Sequence, residues 1–515
     1  MPTSDTLLSG EFATLSDLVR VHAEERPDHV ALVDRDRQLS YAEFNARIDR
    51  TAAALQRDGV RTDGRVAIIS KTSADYLVVM IGALRIGAVP VPLAPSSTPE
   101  SLGAMLADSA PTHLFFDAEA FAAFGGVAPS DLRQIILDAS EFDAWLAPAG
   151  VRPTEPAVEA SAAFNIIYSS GTTGTPKGIV QSHAMRWHHI RRGRITGYAA
   201  DAITLISTPL YSNTTLVSVV PALAYGGTLV LMAKFDARRF LELAQQYRVT
   251  HAMLVPVQYQ RLMDVPDFDA FDLSAFRMKT CTSAPFAAAL KADILRRWPG
   301  GLVEIYGMTE GGGTLTLAAH LFPDKLHTVG RPVDGHHIRL IDDEGCEVVQ
   351  GEAGEVVGHS PAMMTHYLNQ PDKTREAEWF DEAGRRYIRT GDIGRFDEDG
   401  FLTLIDRKKD MIISGGFNIY PSDLEAVLIA HPDIAEAAVV GVPSREWGET
   451  PVGFVTPAGN AAPSPAEIRA WVADRVGKTQ RLADLVILDE LPRSAIGKIL
   501  KRELRDRYMR ETSAA

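Results

Sequence analysis

The segment from residue 168 to residue 178 carries five Ser and Thr hydroxyls, three glycines and one lysine, in the order Tyr-Ser-Ser-Gly-Thr-Thr-Gly-Thr-Pro-Lys-Gly. Backbone N–H groups, hydroxyl donors and one cation together suit phosphate oxygens. The segment is not a P-loop, because Pro176 precedes Lys177 and Gly178 follows it. A flexible Ser/Gly linker is the alternative. The β-branched residues on both sides indicate flanking strands instead, at residues 166–167 and 179–180.

A second cluster, Ile305-Tyr306-Gly307-Met308-Thr309-Glu310, follows an apolar strand predicted over residues 302–305. Its aromatic ring can stack on a purine, its hydroxyl can donate to a phosphate, and its carboxylate can hold Mg²⁺ through oxygen. The alternative is a strand end followed by a helix that Thr309 caps, with a bend at Gly311. The types and spacing therefore allow a nucleotide site or a purely structural junction.

Three further segments could do chemistry. Asp392 follows a Thr-Gly turn, where a carboxylate can accept hydrogen bonds from sugar hydroxyls or bond its own backbone. Lys498 follows Gly497 near the C-terminus, where a lysine by itself is usually a solvated surface residue. The pair Gly415-Gly416 is typical of a tight turn and also allows a ligand to pass close to the backbone.

Strand and helix patterns alternate along most of the chain. Residues 65–69 predict a strand, 74–85 a helix that ends at Gly87, and 89–93 an extended segment, and the alternation recurs at 112–116 and 134–137. Such alternation is typical of largely parallel sheets covered by helices. A strand predicted at 401–405 ends in the charged run 406–410, and a separate alternation follows over about the last hundred residues. We predict a hinge in that run.

Composition restricts the class of protein. The chain has 515 residues, 46% hydrophobic and 23% charged, with a net charge of −14. Such a charge argues against a broad nucleic-acid-binding surface. Two cysteines provide neither a disulfide framework nor a metal cluster, and no secretion signal is apparent, so we expect a cytoplasmic protein. The uncharged run from Ala202 to Ala233 is interrupted by Pro and Gly, which predicts buried strand, loop, helix and strand rather than a membrane span.

Together these segments resemble the adenylate-forming superfamily, which includes acyl-CoA and aryl-CoA synthetases, adenylation domains of peptide synthetases, and beetle luciferases. The resemblance covers roughly residues 15–505 in matching order. It implies an α/β fold with a large N-terminal domain, residues 1–406, of parallel and mixed sheets between helices. It also implies a small α+β C-terminal domain, residues 407–515. The implied activity is AMP-forming ligation of a carboxylic acid to a thiol, with ATP, Mg²⁺ and coenzyme A.

The resemblance also implies roles for individual residues. Tyr306 stacks on adenine, Glu304 faces its amino group, Thr309 contacts phosphate, and Glu310 serves the metal. The implied nucleotide-binding residues are Ser169, Ser170, Gly171, Thr172, Thr173, Gly174, Thr175, Lys177, Ser283, Ala284, Pro285, Glu304, Ile305, Tyr306, Gly307, Asp392 and Arg407, the last two holding the ribose.

Lys498 matches a C-terminal loop that brings a lysine onto the reacting carboxylate. Adenylation collects negative charge between two anions, so a compact cation that bridges them stabilises the transition state. Lys409 matches the hinge about which the small domain alternates between two half-reactions. In the second half-reaction that domain presents Ser414, Gly415 and Gly416 to the pantetheine thiol, with Trp447 stacking on coenzyme A. Packing is the alternative for Trp447.

The pattern departs from the family at the predicted acyl pocket, where Ser212 stands at a position that is His in many relatives. The pocket candidates are Tyr211, Ser212, Asn213, Gly307, Met308, Gly311, Gly312 and Gly313. Their mixed small and apolar character favours an aryl, arylalkyl or medium-to-long acyl group. Residues 480–484, often basic in CoA ligases, contain one cation here, which leaves a carrier-protein thiol open as the acceptor.

Two rival functions stay open beside the CoA ligase: a ligase that loads a carrier protein, and a nucleotide-binding protein without catalysis. The expected partners are the small-molecule acid, ATP and coenzyme A, with a homodimer or a carrier protein as further candidates and no nucleic acid. His183, His188 and His189 fall on one predicted helix but lack an evident third ligand, so we do not predict a metal site there.

Overall fold

The computed structural model describes residues 2–126, 128–129, 132–137, 140–169, 176–414, 417–444, 447–459, 461–462, 464–477, 480–494 and 497–513. The chain forms two compact units. The first unit comprises Met1–Ile338 and Gly358–Ile388, and the second comprises Arg339–Val357 and Arg389–Ala515. The second unit therefore includes residues on both sides of position 406, and the division into domains 1–406 and 407–515 stays a prediction.

The helices follow in chain order. They are α1 (Ser4–Ser9), α2 (Leu15–Glu25), α3 (Tyr41–Arg57), α4 (Ala74–Arg85), α5 (Pro99–Ser109), α6 (Ala118–Phe124), α7 (Ser140–Trp145), α8 (His183–Gly193), α9 (Asn213–Ala224), α10 (Ala237–Gln246), α11 (Pro256–Met263), α12 (Ala288–Arg297), α13 (Pro371–Glu376), α14 (Pro421–Ile429), α15 (Pro465–Ala473) and α16 (Lys501–Ser513).

The strands alternate with them. They are β1 (Val30–Asp34), β2 (Arg37–Ser40), β3 (Arg65–Ile69), β4 (Val89–Leu93), β5 (His113–Phe116), β6 (Arg133–Ile136), β7 (Ala163–Ser169), β8 (Lys177–Ser182), β9 (Ile203–Ile206), β10 (Thr228–Leu231), β11 (His251–Leu254), β12 (Met278–Cys281), β13 (Gly301–Met308), β14 (Gly311–Ala318), β15 (Arg331–Pro332), β16 (His337–Ile341), β17 (Gly354–His359), β18 (His366–Tyr367), β19 (Glu378–Phe380), β20 (Arg386–Phe396), β21 (Leu402–Arg407), β22 (Ile412–Ser414), β23 (Phe417–Ile419), β24 (Ile434–Ser444), β25 (Gly448–Pro457) and β26 (Asp484–Ile487).

Two largely parallel sheets organise the first unit. A nine-stranded sheet has the order β15-β14-β13-β12-β11-β9-β10-β1-β2, and a four-stranded sheet has the order β4-β3-β5-β6. From β13 to β1 the large sheet is parallel, with antiparallel strands at both edges. The small sheet is parallel throughout. The predicted α/β fold with parallel and mixed sheets is confirmed.

Three smaller sheets complete the described part of the chain. The antiparallel sheet β18-β8-β7 belongs to the first unit, and the order β23-β22-β25-β24, with β26 paired to β25, belongs to the second. The remaining sheet has the order β16-β17-β20-β19, with β21 paired to β20. The chain passes between the two units within three of its strands, β16, β17 and β20.

Helix α4 illustrates how local signals set an element. The Ser73 side chain accepts a hydrogen bond from the Tyr76 N–H and caps the helix start. Gly87 follows the end with φ +69°, a backbone conformation that favours glycine. Eleven of the twelve residues of α4 are buried, the exception being Asp75 in its first turn, which explains its largely apolar sequence. The prediction of a helix over 74–85 is confirmed.

The uncharged run from Ala202 to Ala233 folds as β9, α9 and β10 with loops between them, as predicted. No helix among the residues described above combines the length and apolar character that crossing a membrane requires. Cys281 is buried and Cys346 is exposed, and both are free thiols.

Candidate active site

The predicted phosphate loop joins the antiparallel strands β7 and β8. Ser169 at the end of β7 lies directly opposite Lys177 at the start of β8. The strand register therefore holds the two ends of the loop together, and the predicted flanking strands are confirmed. The loop residues proper lie outside the described part of the chain, namely Ser170, Gly171, Thr172, Thr173, Gly174 and Thr175.

Lys177 and Glu310 both contact Tyr367, one at its ring and the other at its hydroxyl. The Lys177 Nζ lies 4.9 Å from the centroid of that ring, and the Tyr367 hydroxyl donates to Glu310 Oε1 at 2.8 Å. Burial raises the pKa of Tyr367, and the neighbouring Glu310 carboxylate raises it further. The hydroxyl therefore keeps its proton and can donate it in a hydrogen bond. The predicted phosphate-binding cation and the predicted metal-binding carboxylate thus share one neighbour.

Tyr367 is a site residue that the sequence did not predict. It lies in the two-residue strand β18, which pairs with β8 and so comes beside Lys177 across almost two hundred residues of sequence. No local pattern around a lone tyrosine predicts such a pairing. The signal for this residue is therefore nonlocal.

Thr309 and Glu310 occupy the tight turn between β13 and β14, whose register pairs Met308 with Gly311. The alternative of a helix that Thr309 caps is wrong, because the chain reverses into an antiparallel strand. Gly311 and Gly312 have φ +79° and +75°. A Cβ on Gly311 would lie 2.0 Å from the backbone oxygen of Ala362, so only glycine fits there.

Buried polar side chains connect this turn to the predicted acyl pocket. Gln181 Nε2 donates to the Thr309 backbone oxygen at 2.7 Å and to Asn213 Oδ1 at 3.3 Å. Gln181 Oε1 accepts from Asn165 Nδ2 at 3.1 Å and from Arg186 Nη2. We call Asn165, Gln181 and Arg186 the Arg186 network. It fixes the carbonyl of a predicted catalytic residue and one predicted pocket residue at the same time.

Arg186 is 1% exposed. In the described residues it forms no ion pair, and its Nε and Nη2 donate to Asn165 Oδ1 at 3.2 and 3.0 Å. Burial lowers its pKa to about 9, so the guanidinium is charged at neutral pH. A buried charge is costly without partners, and neutral amide oxygens satisfy this one. The sequence offered a signal that we missed, since Asn165 and Gln181 interrupt otherwise apolar strands.

The predicted adenine-binding residues lie on and beside β12 and β13. Ser283 follows β12 with φ +83°, a conformation that costs a non-glycine residue about 1 kcal/mol or more. Its hydroxyl lies 2.7 Å from that of Thr214. Ala284 and Pro285 continue this bend, and Ile305, Tyr306 and Gly307 belong to β13.

Glu304, also on β13, is 5% exposed and forms an ion pair with Lys291 of α12. Burial raises the pKa of Glu304 to about 7, and Lys291 opposes the increase. The carboxylate therefore has a protein partner that the sequence did not predict. The contact with an adenine amino group stays a prediction.

The predicted acyl-pocket residues fall into two groups. Tyr211, Ser212 and Asn213 lie at the start of α9, where Ser212 is the N-cap but its side chain makes no capping hydrogen bond. Met308 packs against a buried cluster that includes Tyr367. Gly311 and Gly312 lie on the turn described above, and a Cβ on the next residue, Gly313, would lie 1.8 Å from Ile338 Cδ1.

Asp392, Arg407 and Lys498 come together in the second unit. Asp392 and Arg407 lie opposite each other on β20 and β21, and Arg407 Nε lies 3.0 Å from Asp392 Oδ1. Burial lowers the pKa of Lys498 to about 8; Arg407 and Lys409 lower it further, whereas Asp410 and Asp392 raise it. The predicted catalytic lysine therefore lies within electrostatic reach of both predicted ribose contacts and the predicted hinge.

Hydrogen bonds between residues 493–494 and 497–498 hold the backbone at Lys498. The Ser494 N–H donates to the Lys498 backbone oxygen at 2.8 Å, and the Lys498 N–H donates to Ser494 Oγ at 3.2 Å. Arg493 Nη1 donates to the Gly497 oxygen at 2.7 Å. These bonds fix the backbone on both sides of the lysine, while its four-carbon stem keeps the ammonium adjustable.

The depressed pKa of Lys498 predicts a pH dependence. Only the protonated amine can bridge two anions, and that form is lost as pH rises through about 8. We expect kcat/KM for adenylation to fall above that pH, measured as pyrophosphate exchange, because kcat/KM reports groups of the free enzyme. The Lys498→Arg variant should be slower, and its kcat/KM should not fall above that pH, since arginine stays charged. If kcat/KM of Lys498→Arg fell over the same pH range, the decrease would have to come from another group.

Two residues predicted to contact coenzyme A also lie together. Ser414, at the end of β22, pairs with Gly448 at the start of β25. Trp447, the residue before Gly448, is 47% exposed, so its indole is accessible for stacking. Gly415 and Gly416 lie outside the described residues.

No group of three or more His, Cys, Asp and Glu side chains suited to a metal ion occurs in the described ranges. Burial lowers the pKa of His183 to about 4, so this histidine is a neutral core residue. A metal that enters with ATP needs fewer protein ligands. The Glu310 carboxylate, held by the Tyr367 hydroxyl, is an oxygen donor of the type that Mg²⁺ prefers.

Comparisons with known proteins agree with this geometry. The family model described as AMP-binding enzyme matches residues 19–368, and the model described as AMP-binding enzyme C-terminal domain matches residues 423–498. The chain is 33% identical over 512 residues to the indoleacetate–CoA ligase of Aromatoleum aromaticum, covering 97% of this chain and 99% of that protein. It is 32% identical over 523 residues to the fatty acid–[acyl-carrier-protein] ligase ScoC of Streptomyces coeruleorubidus, covering 98% of each.

A solved structure is also similar. The o-succinylbenzoate CoA synthetase of Bacillus subtilis, in complex with its acyl-adenylate intermediate, superimposes with a TM-score of 0.82 at 26% identity, covering 95% of this chain and 98% of that one. The shared fold therefore extends over both units of the chain.

Proposed function

Because the chain belongs to the family of AMP-binding, adenylate-forming enzymes, we propose that the group around Tyr367 serves the first step of an AMP-forming acid–CoA ligase. The enzyme uses ATP, Mg²⁺ and coenzyme A. The observation that carries the assignment is the contact of Lys177 and Glu310 with a single tyrosine. A cation and a metal-binding carboxylate at one place suit the release of pyrophosphate.

In the first half-reaction an oxygen of the acid attacks the α-phosphorus of ATP. A bond forms between that oxygen and phosphorus, the bond to the β-phosphate oxygen breaks, and acyl-adenylate and pyrophosphate result. We assign Lys498 to the charge between the two reacting anions and Lys177 to the leaving pyrophosphate. Glu310 would hold Mg²⁺, which when bound would supply further neutralisation of the phosphate charge.

In the second half-reaction the coenzyme A thiol attacks the acyl carbonyl and releases AMP. We assign Ser414 and Trp447 to this step, supported by their neighbouring positions at the start of β25. Lys409, in the turn after β21, is our candidate for the hinge between residues 1–406 and 407–515. Free Cys281 and Cys346 support a reducing, cytoplasmic setting.

For the acid we propose an aryl, arylalkyl or medium-to-long acyl group. Ser212 in place of histidine leaves a smaller side chain at the start of α9. Met308, which packs against the buried cluster around Tyr367, offers an apolar surface. The similarity to an indoleacetate–CoA ligase and to a fatty-acid ligase supports both classes.

A panel of acids with ATP and coenzyme A tests the function. We expect acid-dependent exchange of labelled pyrophosphate into ATP and, separately, acid-dependent thioester. Exchange without thioester would assign a different acceptor. Silence of both assays across aryl, arylalkyl and C6–C16 acids would leave a nucleotide-binding protein without catalysis and contradict the proposal.

A carrier-protein thiol is the second candidate acceptor. The similarity to an acyl-carrier-protein ligase and the single cation within residues 480–484 favour it. The panel separates the two acceptors when it is repeated with a holo-carrier protein and with its apo form as control. Thioester only on the holo-carrier would replace coenzyme A.

A further inference from the structure

A cavity in the first unit lies outside the site described above. Its volume is about 320 Å³, which reaches the lower range of small-molecule sites. Residues spaced three and four apart along one face of α8 form one wall, and the loop between β15 and β16 forms another. Its polar lining residues are His188, Arg191, Arg192, Asp334 and His336. We call it the α8 pocket.

The α8 pocket has an excess of positive charge. Within the described ranges neither Arg191 nor Arg192 forms an ion pair, and Asp334 is the lone acidic residue of the lining. Burial lowers the pKa of Arg192, yet a guanidinium stays protonated in proteins. A half-buried cation that faces a cavity and forms no ion pair there is stabilised by an anion that enters.

His336 adds an oriented donor. Its Nδ1 accepts a hydrogen bond from the Thr314 N–H at 2.9 Å, so the proton of the neutral ring resides on Nε2. Burial lowers the pKa of His336 to about 4, and Arg192 and the neighbouring histidines lower it further, so the ring is neutral at pH 7. Nε2–H is then a donor on a residue that lines the pocket together with Arg191 and Arg192.

We propose that the α8 pocket binds a compact oxyanion, a carboxylate or a phosphate group, between Arg192, Arg191 and the Nε2–H of His336. Planar guanidinium groups match both anions through paired N–H donors. Loss of one such charge-assisted contact should weaken binding about 10- to 100-fold.

The pocket also has a physical connection to the candidate active site. Arg186 Nη1 lies 3.3 Å from His189 Nδ1, and His189 lies close enough to Arg192, His188 and His336 for all three to lower its pKa, after burial and Arg186. Through Arg186 and Gln181 this path reaches Thr309 and Asn213. Two molecules can supply the anion. One is the acid substrate, through a second carboxylate at its far end, and this alternative rests on the proposed function. The other is a separate small molecule.

The first arm of the test measures binding of inorganic phosphate by calorimetry, with the nucleotide site filled by Mg²⁺ and a non-hydrolysable ATP analogue. We expect Arg192→Ala to weaken phosphate binding at least about tenfold. Arg191→Ala should act in the same direction, and this exposed position is a second variant in case Arg192→Ala does not fold. The matched control is Arg194→Ala, an exposed arginine outside the pocket.

The second arm compares dicarboxylic with monocarboxylic acids of equal chain length in pyrophosphate exchange. If the substrate supplies the anion, the ratio of their kcat/KM values should fall about tenfold in Arg192→Ala. This ratio is internal to each variant, so partial unfolding does not change it.

If Arg192→Ala changes phosphate affinity alone, the anion belongs to a separate ligand. If it changes the ratio of kcat/KM values, the anion belongs to the acid itself. Unchanged phosphate affinity together with an unchanged ratio overturns the proposal, as does unchanged affinity in a protein that activates no acid. The first arm needs no turnover, so the proposal and the proposed function can fail separately.

Discussion

Replacing Lys498 by alanine should abolish acyl-adenylate formation and leave thioester formation from a supplied acyl-adenylate nearly intact. A positioned cation at a developing charge contributes about 10²–10³-fold to the rate. The lysine lies within electrostatic reach of Asp392 and Arg407, the predicted ribose contacts, and Arg493 and Ser494 hydrogen-bond the backbone at Gly497 and Lys498. Pyrophosphate exchange measures the first step, and thioester release from synthetic acyl-adenylate measures the second.

The matched control is Lys234→Ala, which removes an exposed lysine of the first unit and should change neither step. Lys498→Arg should recover part of the first step, because it restores the charge in a bulkier form. An equal loss of both half-reactions in Lys498→Ala would remove the assigned role and indicate a structural one.

Replacing Glu310 by glutamine should raise the Mg²⁺ concentration that gives half-maximal exchange by about 100-fold. Removing a residue that merely supports a metal ligand lowers metal affinity about 10- to 100-fold. Removing the charge of the ligand itself should therefore have an effect at the upper end of that range. Glutamine keeps an acceptor oxygen for the Tyr367 hydroxyl, now 2.8 Å from Glu310 Oε1, so the side chain should stay in place while its charge is lost. The measurement is a Mg²⁺ titration of pyrophosphate exchange at saturating ATP.

Tyr367→Phe is the companion variant, since it keeps the carboxylate and removes the hydroxyl that holds it. We expect a smaller shift of about tenfold. An unchanged Mg²⁺ dependence in Glu310→Gln would show that this carboxylate does not serve the metal, and the contact between Lys177 and Tyr367 would then lose its catalytic interpretation.

The sequence was sufficient for elements whose signals are local. Helix α4 and strands β3 and β4 have the predicted limits, because a cap at Ser73, a glycine at position 87 and continuous apolar runs define them within a few residues. Strands β7 and β8 were expected from β-branched residues that flank the phosphate loop. Long apolar patterns are informative because burial and secondary structure agree along them.

Local patterns could not give the contacts between distant segments. Tyr367 reaches Lys177 because β18 pairs with β8, and Lys291 reaches Glu304 from a separate helix. The turn at Thr309 and Glu310 was open to two interpretations, since a glycine run suits both a hairpin and a helix start. Only the pairing of β13 with β14 decides between them.

Arg186, Asn165 and Gln181 satisfy one another's hydrogen bonds in a place closed to solvent. Replacing any one of them alone would leave a buried donor or acceptor without a partner, which costs about 1–3 kcal/mol of folding free energy. Single substitutions at these positions are therefore expected to be rare. Among descendants of a common ancestor these three positions should change together or stay fixed.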